Sequence, residues 1–430
     1  MVGVGGLSGL ARFGVRASVA VQRLVPSSAN EFFVVAPVIG GAMVYRFIRN
    51  NNGDSSTPAA SVGAPFQAWR LGGAGWLNNA AGNPASPDFW FSYDVGSQDV
   101  AFNYGGIYAG SYHGGEATSA NLVLANGASI DPTQAQTGTC FSIQHSSTIT
   151  WSAGNTASIA SYSLTVNPDG SLSETTPFSS SLSFTDAFVS MLIAGDGSAN
   201  GYTEADLNAE GWTIPLQTGR AILLQHDDVT IRNPVNGRFI RAVANAKAQS
   251  GYSRAQFTNT ATRSKLYHRF TGVVAPTITR TISFGVGPTG ARFSKTNLLS
   301  NGDFSSGIAN WSVYGGSAYS FASGNLRLTR QTGQDNRIYQ GFSTTVGATY
   351  LSVTNTLADA TTSGAAFAAS SAANGSVNTP PAAFNQSMVA GVNMQLWLAT
   401  QTTHYHMCLQ GAGAAGAQAD YGACAVYRLS

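Results

Sequence analysis

From Ala360 to Ala419 the chain contains no Asp, Glu, Lys or Arg, and over its whole length charged residues make up only 10%. Soluble domains ordinarily carry about 25%, so hydration here must come from uncharged polar groups. Ser, Thr, Asn and Gln supply them, with 49 Gly between. This composition suits short strands joined by tight turns, and by association it is common in extracellular, cell-surface and viral fibre proteins.

The pattern along the chain agrees. Apolar/polar alternation recurs in short runs: Asp88–Tyr93, Ser147–Trp151, Ser161–Val166, Ser180–Phe184, Ala221–Leu224 and Thr277–Phe284. Several end in turn chemistry. Asn167-Pro-Asp-Gly170 reads as a turn between alternating strands, and Asn233-Pro-Val-Asn-Gly237 as a hairpin before Arg238–Ala242. Alternation of this kind implies antiparallel sheets with one buried face. Helix candidates are confined to Thr203–Glu210 and Asn245–Arg254, and no fixed repeat period marks a solenoid or propeller. The fold class expected is all-β: antiparallel β-sandwich domains with a small N-terminal docking segment and a C-terminal sandwich.

A chain of 430 residues has room for two or three domains. Residues 1–60 read as an N-terminal docking or anchor segment closed by the turn-rich stretch Asn50–Pro58. Residues 61–295 read as a β-rich body with a subdomain boundary near 201–219, and residues 296–430 as a separate module. The apolar run Phe32–Tyr45 is shorter than the roughly 20 residues a membrane helix needs, and it contains Pro37, Gly40 and Gly41. A buried strand pair or protein-docking segment is expected there, with no membrane insertion. Internal arginines in Met1–Val25 break the order of a secretory signal. A formal net charge of +2 gives no reason to expect nucleic acid as a partner. Three cysteines, Cys140, Cys408 and Cys424, form no CxxC pattern and leave at least one unpaired. Cys408 and Cys424 can pair if their strands are neighbours; otherwise both are buried free thiols.

The C-terminal third carries the most specific signal. Asn297-Leu-Leu-Ser-Asn-Gly-Asp-Phe-Ser-Ser-Gly-Ile-Ala-Asn-Trp311, then Gly324-Asn-Leu-Arg-Leu-Thr329, then Tyr339-Gln-Gly-Phe-Ser-Thr-Thr-Val-Gly-Ala-Thr-Tyr-Leu-Ser352 follow one another. Together they resemble the opening strand, second strand and Q-x-F-x-V segment of the family 4/9-type carbohydrate-binding modules. The resemblance runs from Thr296 to Ser430 and is specific in its first part. It implies a galactose-binding-like jelly roll that binds sugar in a groove on one sheet or at the loops. It also implies a structural calcium, for which Asp303 and Asp420 are the remaining acids. The family's Glu position is Ser305 here, so no cofactor is expected and calcium stays a secondary reading.

Sugar recognition needs aromatic rings for pyranose C–H faces and planar polar groups for hydroxyls. Tyr314, Tyr319 and Tyr339, beside Gly and polar neighbours, are the ring candidates, with Arg337, Gln334 and Asn336 for the polar contacts. Phe321, Phe342, Tyr350 and Trp311 are expected in the core. His404-Tyr-His406 puts two imidazoles on one strand face with Cys408 on the same side, a spacing that can hold zinc; a satisfied strand face without metal is the reading adopted. His226-Asp227-Asp228 invites an acid/base reading, but strand neighbours point to opposite faces. Nucleophile-elbow, zinc-protease, P-loop and dinucleotide motifs are all absent, and no catalytic residue or enzymatic activity is expected.

The resulting expectation is a virion structural and adhesion protein on the surface of a phage or phage-derived particle. Its N-terminal segment would contact other virion proteins, and its module would contact host-surface polysaccharide, in a homo-oligomer. The alternatives are an extracellular, secreted or surface-displayed bacterial polysaccharide-binding protein, and a glycan-degrading enzyme with its site in 61–295.

Overall fold

The computed structural model describes residues 21–49, 68–93, 98–104, 107–110, 116–150, 156–194, 201–208, 212–215, 220–224, 227–259, 264–293, 295–322, 325–331, 336–356, 365–372, 383–385, 391–411 and 415–430. These residues form four antiparallel sheets of six, fifteen, five and five strands. The all-β expectation holds. Among the described residues the helical turn Ala246–Ala248 is the exception, and no helix is long and apolar enough to cross a membrane.

The six-stranded sheet begins with Gln22–Ser28, Glu31–Val38 and Gly41–Ile48, and continues through Arg70–Leu77 to Phe89–Tyr93. The apolar run Phe32–Tyr45 is therefore a hairpin. Its alternate residues fill two different cores: Phe32, Val34, Met43 and Tyr45 on one face, Phe33, Val35, Ala42 and Val44 on the other. A sheet covered on both faces needs continuous apolar strands, which is why the run imitates a membrane segment. The described part of residues 1–60, residues 21–49, is thus joined by strand pairing to the segment that follows. Gly41–Ile48 pairs with Arg70–Leu77 along its length, from Ala42 opposite Leu77 to Ile48 opposite Arg70.

The fifteen-stranded sheet runs from Gln98 to Val286. Its spine is the strand Leu172–Ala194, whose first half pairs with Thr156–Val166 and Thr277–Val286 and whose second half pairs with Gln98–Tyr104 and Ser264–Val274. Both turn readings are confirmed. The Gly170 amide donates to the Asn167 carbonyl at 3.0 Å, and the Gly237 amide to the Asn233 carbonyl at 2.9 Å. Both helix readings fail. Glu204–Leu207 is a strand paired with Asp228–Arg232, where Ala205 and Leu207 sink into the core. Asn245–Arg254 is one helical turn followed by the strand Tyr252–Asn259. Within 201–219 the described strands, Glu204–Leu207 and Trp212–Pro215, belong to this same sheet.

Strands from Ser312 onward make the two remaining sheets and share none with the body. The first orders Ser312–Val313, Asn336–Ser343, Thr403–Gln410, Ala365–Ser370 and Ala383–Asn385. The second orders Ala318–Ala322, Asn325–Thr329, Gln418–Arg428, Thr349–Thr356 and Gly391–Leu398. Ile338, Phe342, Phe367 and Cys408 of the first meet Leu326, Leu328, Tyr350, Trp397 and Tyr421 of the second in one core. The other face of the second sheet packs on the body: Leu351, Val353, Met394 and Ala425 join the main core, and Tyr427 meets Phe293 edge-on at 5.0 Å.

Candidate ligand-binding face

The residues that carry the family resemblance turn out to be loop fasteners. Asn297 accepts from the amides of Leu299 (3.0 Å) and Val426 (2.9 Å) and donates to the Cys424 carbonyl, tying the entry of the module to its closing strand. Asn301, at φ 51°, donates to the carbonyls of Gly307 and Ala309 and accepts from the Ser306 amide. Gln340 reaches from the first sheet to the Ser300 amide and to the carbonyls of Ser300 and Asn310. The Trp311 indole donates to the Asn301 carbonyl, and its ring lies 5.1 Å from that of Phe304. The Gln at position 340 and the Asn-Gly-Asp-Phe turn thus belong to one hydrogen-bond set, which explains why they occur together. None of these groups is offered to a ligand.

The outward face of the first sheet is different. Arg337, Tyr339 and Gly341 alternate with the core residues Asn336, Ile338, Gln340 and Phe342, so they share this face. The Arg337 guanidinium carbon lies 4.3 Å from the centre of the Tyr314 ring, within cation–π range. The Arg337 amide donates to Ser317 Oγ at 3.0 Å, and Ser317 Oγ donates to the Tyr314 carbonyl at 2.6 Å, fixing the loop that carries Tyr314. Next along the face, Tyr339 meets Tyr405 edge-on, with ring centres 5.9 Å apart. Gly341 is opposite Tyr405 in the ladder. A Cβ at 341 would stand 2.9 Å from a carbon of that ring, so the missing side chain is what lets Tyr405 lie across the strand. Ala366, Ala368, Met407 and Leu409 form a small apolar cluster on this side, with Tyr339 packed against it. Tyr314 is 37% exposed, and Tyr339 and Tyr405 are half-buried. The face therefore presents aromatic edges and planes over an apolar floor, with one guanidinium behind.

Of the residues read from the sequence, Tyr314, Arg337 and Tyr339 come together here. Tyr319 does not: it sits on the edge strand of the second sheet, 41% exposed, beside Phe321. Phe321 itself is 42% exposed rather than core, because its strand is the edge of that sheet. Asn336 is fully buried and donates to the Thr329 carbonyl, so it is a core amide and not a sugar contact. Gln334 lies outside the described residues. Tyr405 was not singled out by the sequence reading, although its place between His404 and His406 sets it opposite the imidazoles.

Each calcium candidate is engaged within the chain. Asp420 receives both Nε and Nη2 of Arg327 at 2.7 Å. Asp303 accepts from the amide and hydroxyl of Ser305, and these bonds hold its carboxyl below the usual range. In the second acid cluster His226 lies outside the described residues. Asp227 accepts from the Lys247 amide, and Asp228 is held below the usual range chiefly by Arg241, which grips both its oxygens at 2.9 and 2.7 Å. Both carboxylates serve the local structure. His404 and His406 are buried. His404 Nδ1 meets Thr344 Oγ1 at 2.9 Å and His406 Nε2 meets Thr354 Oγ1 at 3.0 Å. Cys408 and Cys424 are neighbours across the core, sulfur to sulfur 3.4 Å, as thiols rather than a disulfide.

No family model and no curated protein matches the chain. Solved structures do, at low identity. One is the N-terminal CBM22-1-CBM22-2 tandem domain of Paenibacillus barcinonensis Xyn10C (10% identity, TM-score 0.23, covering 73% of this chain and 93% of that one). Another is a Paenibacillus xanthan lyase (10%, TM-score 0.28, 94% of this chain), of whose length the match spans 52%. A third is an exo-β-1,3-galactanase from Phanerochaete chrysosporium (8%, TM-score 0.25, 94% and 95%). The last two are named as glycan-degrading enzymes. That finding overturns the expectation that the chain is not an enzyme, which rested on missing motifs, and the exclusion is withdrawn. At these TM-scores the likenesses transfer no residue and no activity.

Proposed function

We propose that the C-terminal sandwich binds polysaccharide along the face formed by Tyr314, Arg337, Tyr339 and Tyr405. The observation that carries this reading is the set of aromatic contacts, Arg337 on Tyr314 and Tyr339 on Tyr405, on the sheet face that, among the described residues, is turned away from the core shared with the second sheet. Tyrosine rings stack on the C–H faces of pyranose rings, and their hydroxyls exchange hydrogen bonds with sugar hydroxyls at the wet end. Arg337 backs the Tyr314 ring and keeps it upright. The setting we infer is the surface of a particle, in the manner of a virion attachment protein docked through its N-terminal part and presented as a homo-oligomer. The charge-poor composition and the module resemblance support it. Several weak sugar sites on one particle gain a factor of about 10² to 10⁴ in avidity.

The test is binding of the full chain to immobilised bacterial surface polysaccharides, with single variants at the aromatic row. Tyr339→Ala and Tyr405→Ala should each weaken binding about tenfold, or ~1.4 kcal/mol, while Tyr319→Ala leaves it unchanged. Equal loss with Tyr319→Ala, or no saturable binding by the folded chain, would sink the assignment of this face. Recovery of the chain only as a free monomer, never in sedimenting particles, would remove the virion setting and leave the sugar site standing.

A further inference from the structure

Inside the module, opposite the proposed sugar face, the two sheets bring three metal-binding side chains together. The strand Thr403–Gln410 turns His406 and Cys408 inward from the first sheet, and the strand Gln418–Arg428 turns Cys424 inward from the second. One donor atom from each lies within 4.8 Å of the other two. All three residues are buried. The two sulfurs are 3.4 Å apart. Phe367 stacks on the His406 ring at 5.7 Å and Trp311 meets it edge-on at 6.3 Å, so aromatic rings wall the histidine side of the site.

We propose that His406, Cys408 and Cys424 form a buried site for a soft, thiol-seeking d¹⁰ cation, Zn(II) or Cu(I), that pins the two sheets of the module to each other. Two thiolates and an imidazole are the donor set such cations select. One nitrogen of the histidine is held and the other is unmet. Its Nε2 is engaged by Thr354 Oγ1, while Nδ1 has no hydrogen-bond partner despite its burial. A ligating histidine ordinarily has its second nitrogen fixed in this way, and a buried nitrogen left unmet costs about 1–3 kcal/mol. The spacing needs little adjustment. At a metal–sulfur bond of ~2.3 Å, tetrahedral ligation sets the sulfurs ~3.8 Å apart, against 3.4 Å without a metal. The charges also balance. Binding of Zn(II) forms two metal–sulfur bonds and one metal–nitrogen bond and releases two thiol protons, whereas Cu(I) releases one and leaves the second sulfur protonated, so either complex is neutral in the interior.

The experiment uses the full chain, reduced under argon, with zinc sulfate or a buffered cuprous salt added to the folded protein and also during refolding, because the site is buried. Native mass spectrometry should show one cation retained per chain, and the metal-loaded protein should protect two thiols from alkylation that the metal-free protein exposes on brief opening. The relative hold on Zn(II) and Cu(I) identifies the cation. Cys140→Ser should leave retention unchanged. Cys408→Ser or Cys424→Ser should lower affinity about 100-fold or more, and Thr354→Val, which frees the second nitrogen, about 10-fold. The thiol-protection measurement needs no variant, so a misfolded substitution does not decide the matter. Failure of the folded, reduced wild type to retain either cation overturns the site. So does retention that survives Cys424→Ser, or a Cys408–Cys424 disulfide that persists under reductant.

Discussion

At the scale of single residues, the module shows how a recognisable motif can be entirely architectural. Gly302 is the clearest case. A Cβ at 302 would stand 2.2 Å from the Cys424 carbonyl oxygen, and the Cys424 amide donates to the Gly302 carbonyl at 2.7 Å. The two backbones are in direct contact, so no side chain fits whatever its chemistry. Gly302→Ala should destabilise the module by about 3 kcal/mol, the upper range for forced overpacking. Urea unfolding followed by Trp311 and Trp397 fluorescence would read it, and an unchanged midpoint would show that the contact is not needed. The sequence made the turn legible through Asn301-Gly302-Asp303, but not the reason for it. That reason lies more than a hundred residues away on the closing strand. Tyr405 was missed for a related cause. Its neighbours His404 and His406 drew attention to their own face, while the partner that gives Tyr405 meaning, Tyr339, is on another strand.

At the scale of elements, strand pairing decides which polar groups can be buried. Glu174 and Arg280 are directly opposite each other in the ladder between Leu172–Ala194 and Thr277–Val286. Their side chains are each 1% exposed and form an ion pair. Such a pair adds little over apolar residues of the same size, but breaking it strands a charge. Glu174→Gln should therefore cost about 3–5 kcal/mol, whereas the double substitution Glu174→Leu with Arg280→Leu should recover most of it. Comparing melting temperatures of the two variants with wild type settles the point, and equal loss in both would refute it. Alternation in Thr277–Phe284 made the strand readable. Its partner was not, because register is a property of two strands. The helix reading of Thr203–Glu210 failed on the same ground: short polar-rich segments become strands when a sheet edge is available to pair with.

At the scale of the whole molecule, the body buries histidines that must stay neutral. Burial is the main cause that lowers His145 to about 3, with the positive charge of Arg70 adding to it; Tyr162 stacks on its ring and Ser147 bonds its Nδ1. His268 is likewise lowered to about 3 by burial, aided by Arg280. In the unfolded chain both titrate near 6.5. Below that value the unfolded state takes up protons that the folded state refuses, so stability is full above pH ~6.5 and falls as pH drops toward 3. Each group contributes up to ~1.4 kcal/mol per pH unit across that window. The melting temperature should fall steadily between pH 7 and pH 4.5, and His145→Gln with His268→Gln should flatten the slope. A level profile down to pH ~4, where carboxylates alone begin to protonate, would contradict this. At this scale the sheet that joins residues 22–48 to 70–93 was not legible, since a hairpin buried on both faces resembles a free apolar segment.

The edges of the first module sheet have a consequence of their own. Among the described residues its outer strand Ser312–Val313 is only two residues long, and the sheet lies largely within the stretch that carries no charge. Proteins commonly rely on like-charge repulsion to stop exposed strand edges from recruiting other chains, and lysine on the edge is one such guard. That guard is missing over Ala360–Ala419. An edge as short as Ser312–Val313 offers too few free backbone groups to template a further strand, so at that margin brevity stands in for charge.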